Sequence, residues 1–171
     1  MKKLIYIILA IGVLGFASCS QEEPGNTAVQ PLAGQWYVTF DGVDADGNVV
    51  WEDPFEMGHV FTLTYNLASN VDNQMFVSDE GNFWEYKVRV ACDVNSLTFG
   101  NTDFADNEYY DSQVKLYDGK ILKGAATTPR GMPADSIVYY VIFDDDVYID
   151  YGYWSALRVS GYRYTGFVED N

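Results

Sequence analysis

Residues 34–40, GQWYVTF, set Trp36, Val38 and Phe40 on one side of an extended chain and Tyr37 and Thr39 on the other. Side chains alternate between the faces of a strand, so this spacing reads as a strand with one buried face. The pattern recurs outward along the chain. Phe61, Leu63 and Tyr65 alternate with Thr62 and Thr64, and a shorter segment follows at 75–77. In FWEYKVRVAC, residues 83–92, Trp84, Tyr86, Val88, Val90 and Cys92 alternate with Glu85, Lys87 and Arg89. Further strands are expected at 113–117, 120–124, 136–143 and 157–168, the third of them apolar on both faces. Asp46-Gly47 and Asp118-Gly119 stand between strand-like runs, and such dipeptides favour two-residue hairpin turns because both residues tolerate positive φ. Outside the first 18 residues no segment shows a helical period. Regularly spaced short strands predict an all-β domain, an antiparallel up-and-down β-barrel with a β-sandwich as the alternative. Closing a barrel would also remove sheet edges that so aromatic a chain would otherwise expose to aggregation.

A different kind of sequence precedes this domain. Lys2 and Lys3 lead into an apolar run from Leu4 to Ala17, broken by Tyr6, Gly12 and Gly15. A spanning helix needs about 20 apolar residues, and this run is shorter. A basic start, a short apolar stretch and the small residues Ala17 and Ser18 describe an export signal. With Cys19 directly after them, the stretch resembles the lipobox of bacterial lipoproteins, whose cysteine is acylated and becomes the first mature residue. Residues 1–18 are then a signal peptide, and 19–32 a lipidated cysteine and flexible tether carrying Pro24, Gly25 and Pro31. Residues 33–171 remain as a single barrel domain. Acylation of Cys19 leaves Cys92 without an intramolecular partner, and it reads as a small buried hydrophobe on its strand.

Removing residues 1–18 takes two lysines and no acids, leaving 8 basic against 25 acidic residues, a net charge of −17. That balance excludes nucleic acid as a partner and disfavours docking on anionic lipid head groups. Attachment to a membrane therefore falls to the covalent lipid.

Chemistry-bearing motifs are scarce. There is no nucleophile elbow, no zinc-protease helix motif and no phosphate-cradling glycine loop. His59 is the one histidine, so a Ser-His-Asp arrangement would have to use it, with Ser136 as the candidate nucleophile. A strand-end structural role is the simpler reading of His59. Asp44-Ala45-Asp46-Gly47-Asn48 offers oxygens at calcium-loop spacing, but Val49 replaces the required glycine and Phe55 the bidentate glutamate, so a turn is expected. Asp144-Asp145-Asp146 reads as a charged loop rather than a calcium site. No metal and no cofactor is expected. The aperiodic stretch 125–135, AATTPRGMPAD, reads as a long loop offering Arg130 and Met132 at a barrel mouth. With 14 Tyr, 10 Phe and 4 Trp, aromatics exceed what one core face needs, and Tyr139-Tyr140 puts one ring on each face. Arg130, Met132, Tyr139 and Tyr140 are the candidate ligand contacts.

Gly34-Gln35-Trp36 resembles the G-x-W opening of lipocalins and their barrel relatives. That resemblance implies that Trp36 plugs one barrel end beneath an arginine of the last strand. Arg163 fits better than Arg158, because it shares parity with Leu157, Val159 and Phe167. The lipobox, LAGQWYV, EGNFWEY (80–86), AATTPRGMPADSI and VSGYRYTGF together resemble the Bacteroidetes lipoprotein family called lipid-binding putative hydrolases, whose members are regarded as lipocalin-like. The resemblance implies a protein lipid-anchored in the outer membrane. Glu22-Glu23, similar to a surface-export signal, implies exposure at the cell surface. It also implies binding of a small apolar or amphipathic, lipid-like ligand inside the barrel or at its mouth. It brings no catalytic residues. The alternatives are a hydrolase of esters or glycans and a non-enzymatic module that binds glycan or protein.

Overall fold

A computed structural model describes residues 25–167 of the chain. Its strands are β1 (Gly34–Val43), β2 (Val49–Trp51), β3 (Val60–Asn66), β4 (Gln74–Ser78), β5 (Lys87–Asp93), β6 (Thr98–Gly100), β7 (Ala105–Asp106), β8 (Gln113–Thr127), β9 (Pro133–Phe143) and β10 (Ala156–Arg163), with one short helix α1 (Val147–Asp150) between the last two. β1 pairs with β3 on one side and β10 on the other, and the circuit β3-β4-β5-β6-β8-β9-β10 joins those flanks, every pairing antiparallel. Eight strands therefore close an up-and-down barrel. β2 folds back on the end of β1, and β7 adds a short pairing to β8.

In β1, β4 and β5 the alternation that signalled the strand also fills the interior, whereas β3 is inverted, with Thr62 and Thr64 buried and Phe61, Leu63 and Tyr65 on the half-buried outer face. Trp36, Val38 and Phe40 point inward beside Thr62 and Thr64 of β3, Met75 and Val77 of β4, and Val88 and Val90 of β5, all buried. Leu116, Ile137, Tyr139, Val141, Leu157 and Val159 complete the far wall. Burying one Val or Leu side chain contributes about 1.5–3 kcal/mol, more than a typical hydrogen bond, so this inward row dominates the energetics. Closure itself depends on Gly161, since a Cβ there would collide with the Tyr37 carbonyl across the β1–β10 seam.

Several expectations need correction. Asp118-Gly119 makes no hairpin, because β8 runs straight through it. Asp118 does take the positive φ of 52° that its dipeptide favours, but the result is a bulge between Tyr117 and Lys120. Gly119 is required there, because a Cβ would strike the Phe99 ring. The loop expected over 125–135 shrinks to 128–132, since Thr127 pairs with Pro133 and Ala126 with Ala134. The strand expected from Phe83 starts at Lys87, after a Glu85 with φ of 54°. Nor does the segment taken as tether stay clear of the barrel: Val29 and Leu32 are wholly buried in the core. Cys19 and residues 1–18 lie outside the described residues. By contrast Asp46-Gly47 forms the β1–β2 turn, with Asp44 accepting from the amides of Asp46 and Asn48.

Candidate functional site

The two barrel ends differ. At one, the Arg163 guanidinium carbon lies 4.3 Å from the centre of the Trp36 ring system. Arg163 also donates to the Ala33 carbonyl at 2.8 Å and to the Asp135 carboxylate at 3.2 Å. The Trp36 indole donates to Thr64 at 2.9 Å, and Thr64 donates to the Leu32 carbonyl at 2.6 Å. This end is sealed by side chains that satisfy one another. Burial pushes the Asp135 carboxyl up, but Lys123, the Gly124 amide and Arg163 outweigh that and hold it below the ordinary range.

Between the ends the barrel is occupied by protein. The Phe99 and Tyr139 rings meet at 5.8 Å and those of Tyr86 and Phe143 at 5.4 Å. The buried Tyr86 and Tyr139 hydroxyls hydrogen-bond to each other, and burial pushes both phenols well above their usual range. A cleft of about 540 Å³, lined by Cys92, Phe99, Asn101, Lys115, Tyr117 and Lys120, reaches the edge of this core at Phe99.

The sequence-derived candidates do not converge. Arg130 and Met132 stand exposed on the β8–β9 hairpin at the sealed end. Tyr139 is interior, whereas Tyr140 stacks on Tyr117 outside, ring centres 5.4 Å apart. Ser136 and His59 both sit on the outer wall beside Tyr162: Ser136 is its cross-strand partner, and the His59 ring is 5.6 Å from its ring. The Ser136 hydroxyl donates to the Gly161 carbonyl at 2.8 Å, which orients it along the β9–β10 seam. Alternation puts Tyr139 inside and Tyr140 outside, but parity alone does not reveal which strand ends share a mouth. The Asp144-Asp146 carboxylates are engaged one by one, Asp144 by the Gln113 amide, Asp145 by Trp84 and Tyr110, Asp146 by the Tyr148 amide and Trp154. Among the described residues no group of three His, Cys, Asp or Glu side chains is placed to hold a metal.

The opposite end was not anticipated. Phe83 stacks on Phe40 at 3.8 Å and Trp84 on Phe143 at 4.9 Å, capping the core. Phe55 packs edge-on against Phe83, Trp84, Tyr148 and Trp154. From this cap a second layer faces solvent: Trp51, Met57, Val147, Tyr148, Tyr151 and Tyr153 are all exposed, Tyr151 by 76%. Trp51 and Tyr148 pack against both Tyr153 and Trp154, so the exposed layer is continuous with the cap. Asp146 makes the arrangement possible, since it caps α1 and fixes the Trp154 indole at 3.0 Å. These residues come from 50–57, 83–84 and 147–154, whose proximity depends on closure of the barrel.

Comparison with known protein families matches residues 21–168 to the family described as "Lipid-binding putative hydrolase". The chain belongs to that family. A barrel packed with side chains is the form that this family member takes, with a contiguous exposed aromatic layer at one end. No curated protein matches the chain.

Proposed function

We propose that the protein binds an apolar or amphipathic, lipid-like ligand on the aromatic end of its barrel. Membership of the lipid-binding family supports the ligand class. One observation carries the location: the interior is closed by the Tyr86–Tyr139 contact and the Phe40–Phe83 cap, while Trp51, Tyr148, Tyr151 and Tyr153 form a continuous exposed aromatic layer. Isolated exposed apolar side chains need no explanation, but a contiguous set marks an interaction surface. Trp and Tyr suit a ligand with an apolar body and a wet end, because each couples a large ring to a polar group. The proposal includes acylation at Cys19, cleavage of residues 1–18 and residence at the outer-membrane surface. It is supported by the lipobox-like stretch and by the acidic residues Glu22-Glu23.

Native mass spectrometry tests it on residues 20–171, a fragment that contains the whole closed barrel. After incubation with envelope lipid extract, lipid adducts are expected on this protein and not on the Trp51→Ala/Tyr153→Ala variant, with both folded by circular dichroism. Adducts absent from the unaltered protein, or equal on the variant, would overturn the assignment.

A further inference from the structure

The aromatic end carries a charge pattern that narrows what it accepts. The segments that build it, 41–58, 79–86 and 144–157, hold six, three and four carboxylates and no lysine or arginine. Some are committed internally: Asp41 pairs with Arg158 at 2.8 Å, Asp79 accepts the amides of its own loop, and Asp145 and Asp146 hold Trp84 and Trp154. Glu52, Glu56 and Asp150 stay exposed directly beside Trp51, Met57 and Tyr151. An anionic headgroup approaching these rings meets uncompensated negative charge, whereas a cation is attracted.

Ring geometry points the same way. Trp51, Tyr148 and Tyr151 meet Tyr153 at centroid distances of 5.9, 6.1 and 6.5 Å, with interplanar angles of 62°, 62° and 77°. Rings so inclined do not bury their faces against one another, although Tyr148 lays one face on Trp154, 5.1 Å away at an interplanar angle of 26°. The face of an aromatic ring is its negative side, and alkylammonium groups are the cations such clusters hold best. We propose that the aromatic end recognises the ammonium of zwitterionic lipid headgroups displayed on a membrane surface. Trp51, Tyr148, Tyr151 and Tyr153 contact the cation, and Glu52, Glu56 and Asp150 reject anionic lipid. This selectivity rests on the lipid-binding reading above.

The test is co-sedimentation of residues 20–171 with vesicles of matched acyl chains: phosphatidylcholine, phosphatidylglycerol, or an uncharged glycolipid. Binding is expected to be strongest to phosphatidylcholine and at least tenfold weaker to phosphatidylglycerol, and tetramethylammonium chloride should release the protein where equal sodium chloride does not. Tyr153→Leu keeps an apolar side chain but removes a π face. It should weaken phosphatidylcholine binding roughly two- to fivefold and leave glycolipid binding unchanged. Glu52→Gln/Asp150→Asn should narrow the gap between phosphatidylcholine and phosphatidylglycerol. Equal binding to all three vesicles, insensitive to tetramethylammonium, would overturn ammonium recognition and leave lipid binding standing. Binding to none would overturn both.

Discussion

Arg163 holds the sealed end through three contacts of different kinds: the Trp36 ring face, the Ala33 carbonyl and the Asp135 carboxylate. Arg163→Met keeps most of the covering side chain and removes the charge, leaving Ala33 and Asp135 short of a donor. The expected cost is about 2–3 kcal/mol, read as a lower urea midpoint at unchanged slope. Because its folded pKa is lowered, Asp135 contributes stability above the ordinary carboxylate range and loses it as pH falls through that lowered value. The stability gap between the unaltered protein and Asp135→Asn should therefore shrink as pH drops below about 4. The Tyr86–Tyr139 pair has the opposite dependence. Its phenols are raised by burial, so above about pH 10 the unfolded chain releases protons that the folded one keeps, and stability falls with rising pH. Each such tyrosine adds about 1.4 kcal/mol per pH unit to that fall. Tyr139→Phe alone leaves the Tyr86 hydroxyl buried with one partner fewer, at about 1–3 kcal/mol. Tyr86→Phe/Tyr139→Phe should cost less than the sum of the single changes and flatten the alkaline slope, as a double-mutant cycle of denaturation curves would show.

The segment 79–86 shows how an element can be legible and misread at once. Its aromatics alternate as a strand would, yet the fully buried Asp79 carboxylate accepts amides from Gly81, Phe83, Trp84, Glu85 and Tyr86 and winds the segment into a loop. Period-two spacing cannot distinguish those outcomes, because an aspartate preceding Glu-Gly signals only a turn. Asp79→Asn presents one acceptor oxygen where two were used. It should free Phe83 and Trp84 from the cap, lower stability by about 2–4 kcal/mol and red-shift tryptophan emission. β1 was legible because both its neighbours are long strands that honour its inward row. The β8 bulge was not, since Asp-Gly at positive φ serves a hairpin and a bulge alike, and only the Phe99 ring over Gly119 decides between them. The aromatic end was illegible for a further reason: segments 50–57 and 147–154 have no periodic pattern, and only barrel closure brings them to Phe83 and Trp84.

At the scale of the whole molecule, the chain enters at the sealed end and displays its aromatics at the other. Val29 and Leu32 pack into the core there, beside Trp36. β9, 11 residues long, runs from that end to the aromatic one. At about 3.3 Å per residue and a tilt near 40° it separates them by roughly 28 Å. From Cys19 to Thr27 the chain can reach at most about 28 Å. If Cys19 is acylated as proposed, the aromatic end is held away from the leaflet that anchors the protein, and its ligand arrives from outside. A cysteine placed at Tyr151 reports on this directly. Cys92 will not compete near neutral pH, since burial and then the carboxylates of Asp72 and Asp93 push its thiol up to about 11. A membrane-impermeant maleimide at pH 7 should therefore label Tyr151→Cys at the same rate in the vesicle-anchored lipoprotein and in soluble residues 20–171, and leave the unaltered protein almost untouched. Protection of Tyr151→Cys only in the anchored form would instead put the aromatic end against its own membrane, reversing the orientation that the short tether implies.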